Sequence, residues 1–237
     1  MDIKAFLELC KNNDIQCSEA EAQKLSLFAD FLLSENEKYN LTAIREERPL
    51  MLRHLCDSLT ILPFISEGAH VLDIGSGAGF PSIPLAVCRP DVTVTALDST
   101  SKKVAFISAA AERIGITNLS AISARAEESA HDIAYRGKFD VVTARAVSRM
   151  SVLSELSAAY IKEGGYLCAM KGEPETTASE LSDASAVCSR VGLSHDRTYS
   201  LTLNDDNEVL SRTIVIMKKT GSVPASYPRR YSQIMKN

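Results

Sequence analysis

The chain has 237 residues, 45% of them hydrophobic, and a formal net charge of −4. That length carries one sizeable core with room for an appendage, and the charge argues against a generally basic nucleic-acid binder without excluding a local basic footprint. No stretch approaches the apolar length of a membrane span, and the opening Met1-Asp2-Ile3-Lys4-Ala5 lacks the apolar run of a signal peptide, so a cytoplasmic protein without a membrane partner is expected.

Residues 1–66 read as a helical extension. Phe6, Leu7, Leu9 and Cys10 begin one short amphipathic segment, and Ser18 followed by Glu21 forms a candidate capping box for a longer one. In that second segment Leu25, Phe28, Ala29, Leu32 and Leu33 recur at helical spacing. The stretch from Asn36 to Thr42 reads as a break, and Pro49 starts a further helix through Leu62 that Pro63 ends or bends.

From residue 69 the pattern alternates, and 67–220 reads as the main domain. Strands are expected at 69–74, 92–98, 118–123, 138–144, 164–170, 197–204 and 211–218, with helices at 79–88, 101–115, 125–135, 149–162 and 175–191. Strand–helix alternation builds an open, mainly parallel sheet covered on both faces. Only Asn204-Asp205-Asp206-Asn207 and a few neighbours separate the last two strands, which therefore form a closing hairpin with an antiparallel final strand. The remainder, 221–237, is a tail; from Lys218 onward the chain carries Lys218, Lys219, Arg229, Arg230 and Lys236 with no acid among them. Such a segment is either a solvated end or a phosphate contact.

The run Val71-Leu72-Asp73-Ile74-Gly75-Ser76-Gly77-Ala78-Gly79-Phe80-Pro81 is the most informative. A buried strand enters a glycine-rich turn, where a cofactor can lie against bare backbone. The dinucleotide fingerprint wants its third glycine one place later, where this chain has Phe80. A second acid, Asp98, ends the next apolar run, and two carboxylate oxygens can accept from two vicinal ribose hydroxyls. Together these features resemble the S-adenosylmethionine site of class I methyltransferases, a Rossmann-like α/β fold of seven strands, more than a nicotinamide site. The six cysteines, at 10, 17, 56, 88, 168 and 188, include no CxxC pair. Reduced core thiols are expected, with neither a zinc site nor a disulfide framework.

Further motifs narrow the resemblance to one family. The chain resembles the bacterial small-subunit ribosomal RNA methyltransferase G family, also called glucose-inhibited division protein B, over nearly its whole length. The likeness rests on Tyr39-Asn40-Leu41-Thr42, Arg53-His54 with Asp57-Ser58, the glycine turn with Phe80-Pro81 and Pro84-Leu85, and Leu97-Asp98-Ser99 with Lys102-Lys103. It continues through Ala126-Glu127, Thr143-Ala144-Arg145-Ala146, Lys171-Gly172 and Tyr227-Pro228-Arg229-Arg230. The resemblance implies transfer of a methyl group from S-adenosylmethionine to N7 of a guanosine in 16S rRNA, within the small subunit or an assembly intermediate. It implies no DNA partner, and a monomer is the default.

Each candidate residue also has a structural reading. Gly75, Gly77 and Gly79 shape the loop under the methionyl group or simply make a tight turn. Asp73 fixes that loop through backbone N–H groups, meets the cofactor's ammonium group, or is structural. Phe80 lines the cofactor cleft, as the resemblance implies, or belongs to the core. Asp98 holds the ribose or caps the helix near Thr100. The resemblance puts a backbone contact to the adenine ring at Ala126-Glu127, where a surface glutamate in a first helical turn is the alternative.

Arg145 ends the fourth strand, in the crevice outside the carboxyl ends of the sheet. Many methyltransferases carry an acidic or Asn-Pro-Pro motif here to accept from an exocyclic amine. An arginine offers only donors, which argues against methylation of adenine N6 or cytosine N4. It suits phosphate or the acceptor-rich edge of a base, and the resemblance places Arg145 against cofactor and substrate. Arg149 and Lys171 extend that positive patch toward RNA, with Arg229 and Arg230 from the tail. Asn40, Thr42 and His54 brace the cleft or touch substrate, and His54, Asp57 and Ser58 form one network. Guanine N7 already presents a lone pair, so transfer needs alignment and exclusion of water but no general base. The competing readings are a methyltransferase of another RNA base or of protein, and a non-catalytic RNA-binding or assembly module. The Asn-Pro-Pro-Tyr motif of protein glutamine methyltransferases is absent.

Overall fold

The computed structural model describes every residue except Asn207 and Asn237. Seven strands form one sheet: β1 His70–Ile74, β2 Thr93–Asp98, β3 Leu119–Ser123, β4 Phe139–Arg145, β5 Ile161–Lys171, β6 Leu193–Asp205 and β7 Glu208–Lys219. Their order is β3-β2-β1-β4-β5-β7-β6. The first five run parallel, and β7 runs antiparallel to both β5 and β6. The closing hairpin is as expected; Asn207, part of the polar segment expected between its strands, lies outside the described residues. Strand order reverses between β1 and β4, so the chain leaves these neighbours toward opposite sides and opens a crevice at their carboxyl ends.

Both faces of the sheet are covered, which is why Val71–Ile74 and Val141–Ala144 are unbroken buried runs. One face carries α5 (Ser82–Cys88) and α6 (Ser101–Arg113); the other carries α8 (Met150–Ala158) and α9 (Pro174–Arg190). The extension contributes α1 (Ile3–Asn12) and α2 (Glu19–Tyr39). Its Phe6, Leu25, Phe28 and Leu32 share one apolar cluster with Val71, Ile83 and Phe106 of the main domain. The capping box forms: Ser18 Oγ accepts from Glu21 N–H at 3.3 Å, and Glu21 Oε2 accepts from Ser18 N–H at 2.6 Å.

Several boundaries depart from the sequence pattern. The expected break begins too early, because Asn36 stays helical and buried: its side chain ties down the backbone of Thr42 and Ile44. The helix expected from Pro49 is composite: α3 (Glu47–Leu50), a π-helical stretch Met51–Cys56 and α4 (Asp57–Leu59). Helix 125–135 shrinks to α7 (Ala126–Ser129), since the Arg136 guanidinium binds the Ala130 carbonyl at 3.1 Å and draws in the tail through Tyr227 O at 2.9 Å. Helix 149–162 stops at Ala158, and β5 begins at Ile161 with an irregular step against β4. Gly165 permits that step: a Cβ there would stand 2.6 Å from the Asp140 carbonyl oxygen.

The tail is docked rather than solvated. Ile234 of α10 (Tyr231–Ile234) is buried against Val152 and Leu156 of α8. Arg229 makes a two-pronged ion pair with the buried carboxylate of Glu155, at 2.8 and 2.6 Å. Among the described residues, no helix is long and apolar enough to cross a membrane.

Candidate active site

The loop between β1 and α5 is tied to the end of β2: the N–H groups of Gly75 and Ser76 both donate to Leu97 O, at 2.8 and 3.1 Å. Gly77 has φ +58°, a left-handed conformation that costs glycine little, and a Cβ there would point into open space, with only Gly75 O within 4 Å. The backbone at Gly77 is therefore open to a ligand. Asp98 fixes this arrangement, with Oδ2 accepting from Gly77 N–H at 2.9 Å and Oδ1 from Thr100 N–H at 2.8 Å. It thus braces the loop and caps the following helix at once. Each carboxylate oxygen keeps a second lone pair, so two acceptor positions remain for vicinal hydroxyls.

Asp73 is fully buried at the end of β1. Its Oδ1 accepts from Thr143 Oγ1 at 3.1 Å, whereas Oδ2 has no partner. Among the described residues, Asp73 Oδ2 and Ser82 Oγ, at the two ends of the glycine loop, are the buried side-chain oxygens left unsatisfied. Burial pushes the Asp73 carboxyl up to about 6, against the lowering pull of nearby hydroxyls. A native fold rarely strands such a group without use. A cationic ligand end at this loop would satisfy it, and an acid for a cation, an acid for a diol and a bare backbone between them fit S-adenosylmethionine.

The opposite wall is built from cations. Arg145, at the end of β4, donates from Nη1 to Asp57 Oδ2 at 3.1 Å and to Arg53 O at 2.9 Å. Its Nη2 lies 3.1 Å from His54 Nδ1. His54 Nδ1 also lies 3.1 Å from Arg53 O, so it stands between a guanidinium that can only donate and a carbonyl that can only accept, while Nε2 lies 2.8 Å from Thr42 Oγ1. Burial, with Arg145 adjacent, lowers the His54 pKa to about 4, so the ring is neutral at physiological pH. The other oxygen of buried Asp57 accepts from Arg212 Nε at 2.8 Å. Phe80 packs beneath the network, with ring centroids 4.6 Å from His54 and 5.3 Å from Phe28, and the Arg145 guanidinium 5.3 Å above it. Ala146 follows at φ +54°, uncommon for alanine, which turns the chain sharply after Arg145.

A cleft of about 640 Å³ opens here, lined by His54, Asp57, Arg145, Lys171, Thr176 and Arg212 among others. Lys171, ending β5, is held by Glu180 at 2.6 Å and Ser148 O at 2.9 Å. Arg149 is exposed just before α8. Of the residues singled out in the sequence, the structure joins Thr42, His54, Asp57 and Arg145 in one network, with Lys171 lining the same cleft.

Other expected site residues lie elsewhere. Asn40 is the left-handed cap of α2 and accepts from Arg45 at 3.2 Å. Ala126 and Glu127 open α7 beyond β3, and Glu127 lines a separate cleft of about 560 Å³ with Arg229 and Arg230. Arg229 is engaged with Glu155, a buried carboxylate that would be costly without its partner. Arg230 remains exposed.

Sequence reading missed Arg212, Glu180 and Glu155. Arg212 carried one faint signal, a cation at the head of the apolar stretch Thr213–Met217.

Comparison with known proteins shows the family and the fold. A family model described as rRNA small subunit methyltransferase G matches residues 21–209. The ribosomal RNA small subunit methyltransferase G of Lactobacillus acidophilus is 40% identical over 95% of this chain and 93% of its own length. That of Lysinibacillus sphaericus is 37% identical over 97% and 96%. Among solved structures, the YcgJ protein of Bacillus subtilis superposes with a TM-score of 0.54 at 15% identity, over 71% of this chain and all of its own. TYW2 of M. jannaschii, solved in complex with AdoMet, superposes with a TM-score of 0.57 at 14% identity, over 76% and 80%. These last two likenesses concern the fold alone.

Proposed function

This chain belongs to the rRNA small subunit methyltransferase G family, and we propose that it methylates N7 of a guanosine in 16S rRNA by positioning alone, with no general base. It is an S-adenosylmethionine-dependent enzyme, and the glycine loop with Asp73 and Asp98 supplies the residues to hold that cofactor. Bound S-adenosylmethionine supplies a sulfonium methyl that a neutral lone pair can attack.

One observation carries the reading: the groups that could take a proton on the Arg145 side are already committed. Both ring nitrogens of His54 already have partners, Thr42 Oγ1 at Nε2 and Arg145 with Arg53 O at Nδ1, and the Asp57 carboxylate is shared between two guanidiniums. An amine acceptor would need one of them free, whereas N7 releases no proton. What the residues offer instead is orientation. Arg145 has engaged three of its five N–H donors among the described residues, leaving donors for the acceptor-rich N7/O6 edge of guanine or its phosphate. Lys171, Arg149 and Arg230 supply charge for the surrounding backbone. The guanosine must stand out of its stack to enter the cleft. We place the enzyme in the cytoplasm as a monomer acting on the small subunit or an assembly intermediate.

The test is transfer of labelled methyl to small ribosomal subunits, to deproteinised 16S rRNA and to protein, with digestion and mass spectrometry of the product. The expected outcome is 7-methylguanosine in RNA, lost in Arg145→Ala and Asp98→Asn. Label in another nucleoside or in protein contradicts the assignment.

A further inference from the structure

Cysteines far apart in sequence meet in space, at a seam remote from the glycine loop. Cys17 lies in the connection between α1 and α2, Glu21 in the first turn of α2, and Cys88 at the last residue of α5. One ligand atom from each lies within 4.8 Å of the others. Behind them Cys10 of α1 faces Cys56, with the two sulfurs 3.9 Å apart. The cluster spans the junction between the helical extension and the main domain. Positions 17, 21 and 88 form no motif, which is why sequence reading assigned no metal.

We propose that Cys17, Cys88 and Glu21 bind one thiophilic divalent cation of the zinc class, clamping the extension onto the main domain. Two thiolates and a carboxylate are a recognised donor set for such an ion, and thiolates on one tetrahedral zinc stand about 3.8 Å apart, given Zn–S bonds of about 2.3 Å. The atoms are therefore within a small contraction of coordinating distance. Hard cations such as magnesium and calcium want oxygen ligands and suit the site poorly. Glu21 is already fixed by the capping box through Oε2. A broad groove lined by Cys17, Glu21, Cys88 and Arg89 gives an ion access and leaves a fourth position to solvent. Arg89 does not compete there, since Asp91 holds its guanidinium at 2.6 Å.

The test uses the full chain, reduced and stripped of metal, titrated with cobalt(II) and then with zinc. One equivalent of cobalt should give a near-ultraviolet sulfur-to-metal charge-transfer band that zinc bleaches. Cys17→Ser and Cys88→Ser should each weaken binding more than about 100-fold, and Glu21→Gln, which can keep the cap, about tenfold. Cys188→Ser, outside the cluster, should bind as the wild type does. Zinc-edge absorption of the wild-type protein gives a second readout that does not depend on the folding of a serine variant, with two sulfurs and at least one oxygen expected. No charge-transfer band, a band undiminished in both serine variants, an all-oxygen shell, or a Cys17–Cys88 disulfide in protein prepared without reductant would each overturn the proposal.

Discussion

At the carboxyl ends of β1 and β2 the charged side chains are buried acids, Asp73 and Asp98; at the ends of β4 and β5 and along β7 stand half-buried bases, Arg145, Lys171 and Arg212. The two walls use their charges differently. Asp98 spends hydrogen bonds on the backbone that shapes the glycine loop, and Asp73 holds one oxygen idle. The arginines are clamped side chain to side chain through Asp57, so their direction is fixed before any ligand arrives. An idle acid beside open backbone suits a cationic cofactor, and pre-aimed guanidiniums suit an anionic, acceptor-rich nucleic acid. On the proposed function, one crevice would serve two ligands of opposite charge.

If that division is right, damage to one wall should leave the other working. The largest effect is expected from Asp57→Ala, which leaves Arg145 and Arg212 facing each other without their shared counter-charge. Methyl transfer should fall more than about 100-fold and stability by about 3 kcal/mol, measured by denaturant titration, because a buried ion pair is broken from one side. Equilibrium dialysis should find cofactor affinity within a fewfold of wild type. An equal fall in cofactor affinity would break the comparison.

A smaller effect belongs to pH. The Asp73 carboxyl sits at about 6 instead of 3.8, so the unliganded fold favours its protonated form. The unfolded chain gives up this proton first, so the Asp73 contribution to stability falls as pH rises from about 4 to about 6 and stays low above that. Cofactor binding runs the other way, since only the carboxylate attracts a cation. Affinity should rise about tenfold between pH 5 and pH 7 by calorimetry, and this rise should vanish in Asp73→Asn. His54, lowered to about 4, should add no inflection between pH 6 and 9 to single-turnover methyl transfer.

The smallest effect tests the outer edge of the basic wall. Thr42→Val removes the partner of His54 Nε2 and should slow transfer about three- to tenfold, in line with the loss of one hydrogen bond of about 1 kcal/mol, with cofactor affinity unchanged.

The cofactor wall was largely legible in the sequence because it is local. A buried strand, three glycines in five residues and an acid at the end of the next apolar run are short-range patterns, and the parallel order follows from alternation. The basic wall is assembled across long separations. Arg145 reaches back 88 positions to Asp57, and Arg212 reaches 155. No periodicity announces such pairs, so Arg212 went unseen although Arg145 did not. The docking of the tail was hidden for the same reason: in the sequence 221–237 reads as a solvated end or a phosphate contact, and only the fold brings Glu155 beneath Arg229. The cysteines at 10, 17, 56 and 88 are likewise scattered until α1, α2 and α5 pack together.

The most direct test measures cofactor dissociation constant and single-turnover methyl transfer, at saturating cofactor, in Asp73→Asn and Arg145→Lys. The account predicts a crossed result. Asp73→Asn should weaken cofactor binding about tenfold or more with a nearly normal rate once saturated, while Arg145→Lys should lose more in rate than in cofactor affinity. If both variants lower affinity and rate by the same factor, the two walls are not separate devices and the account is contradicted.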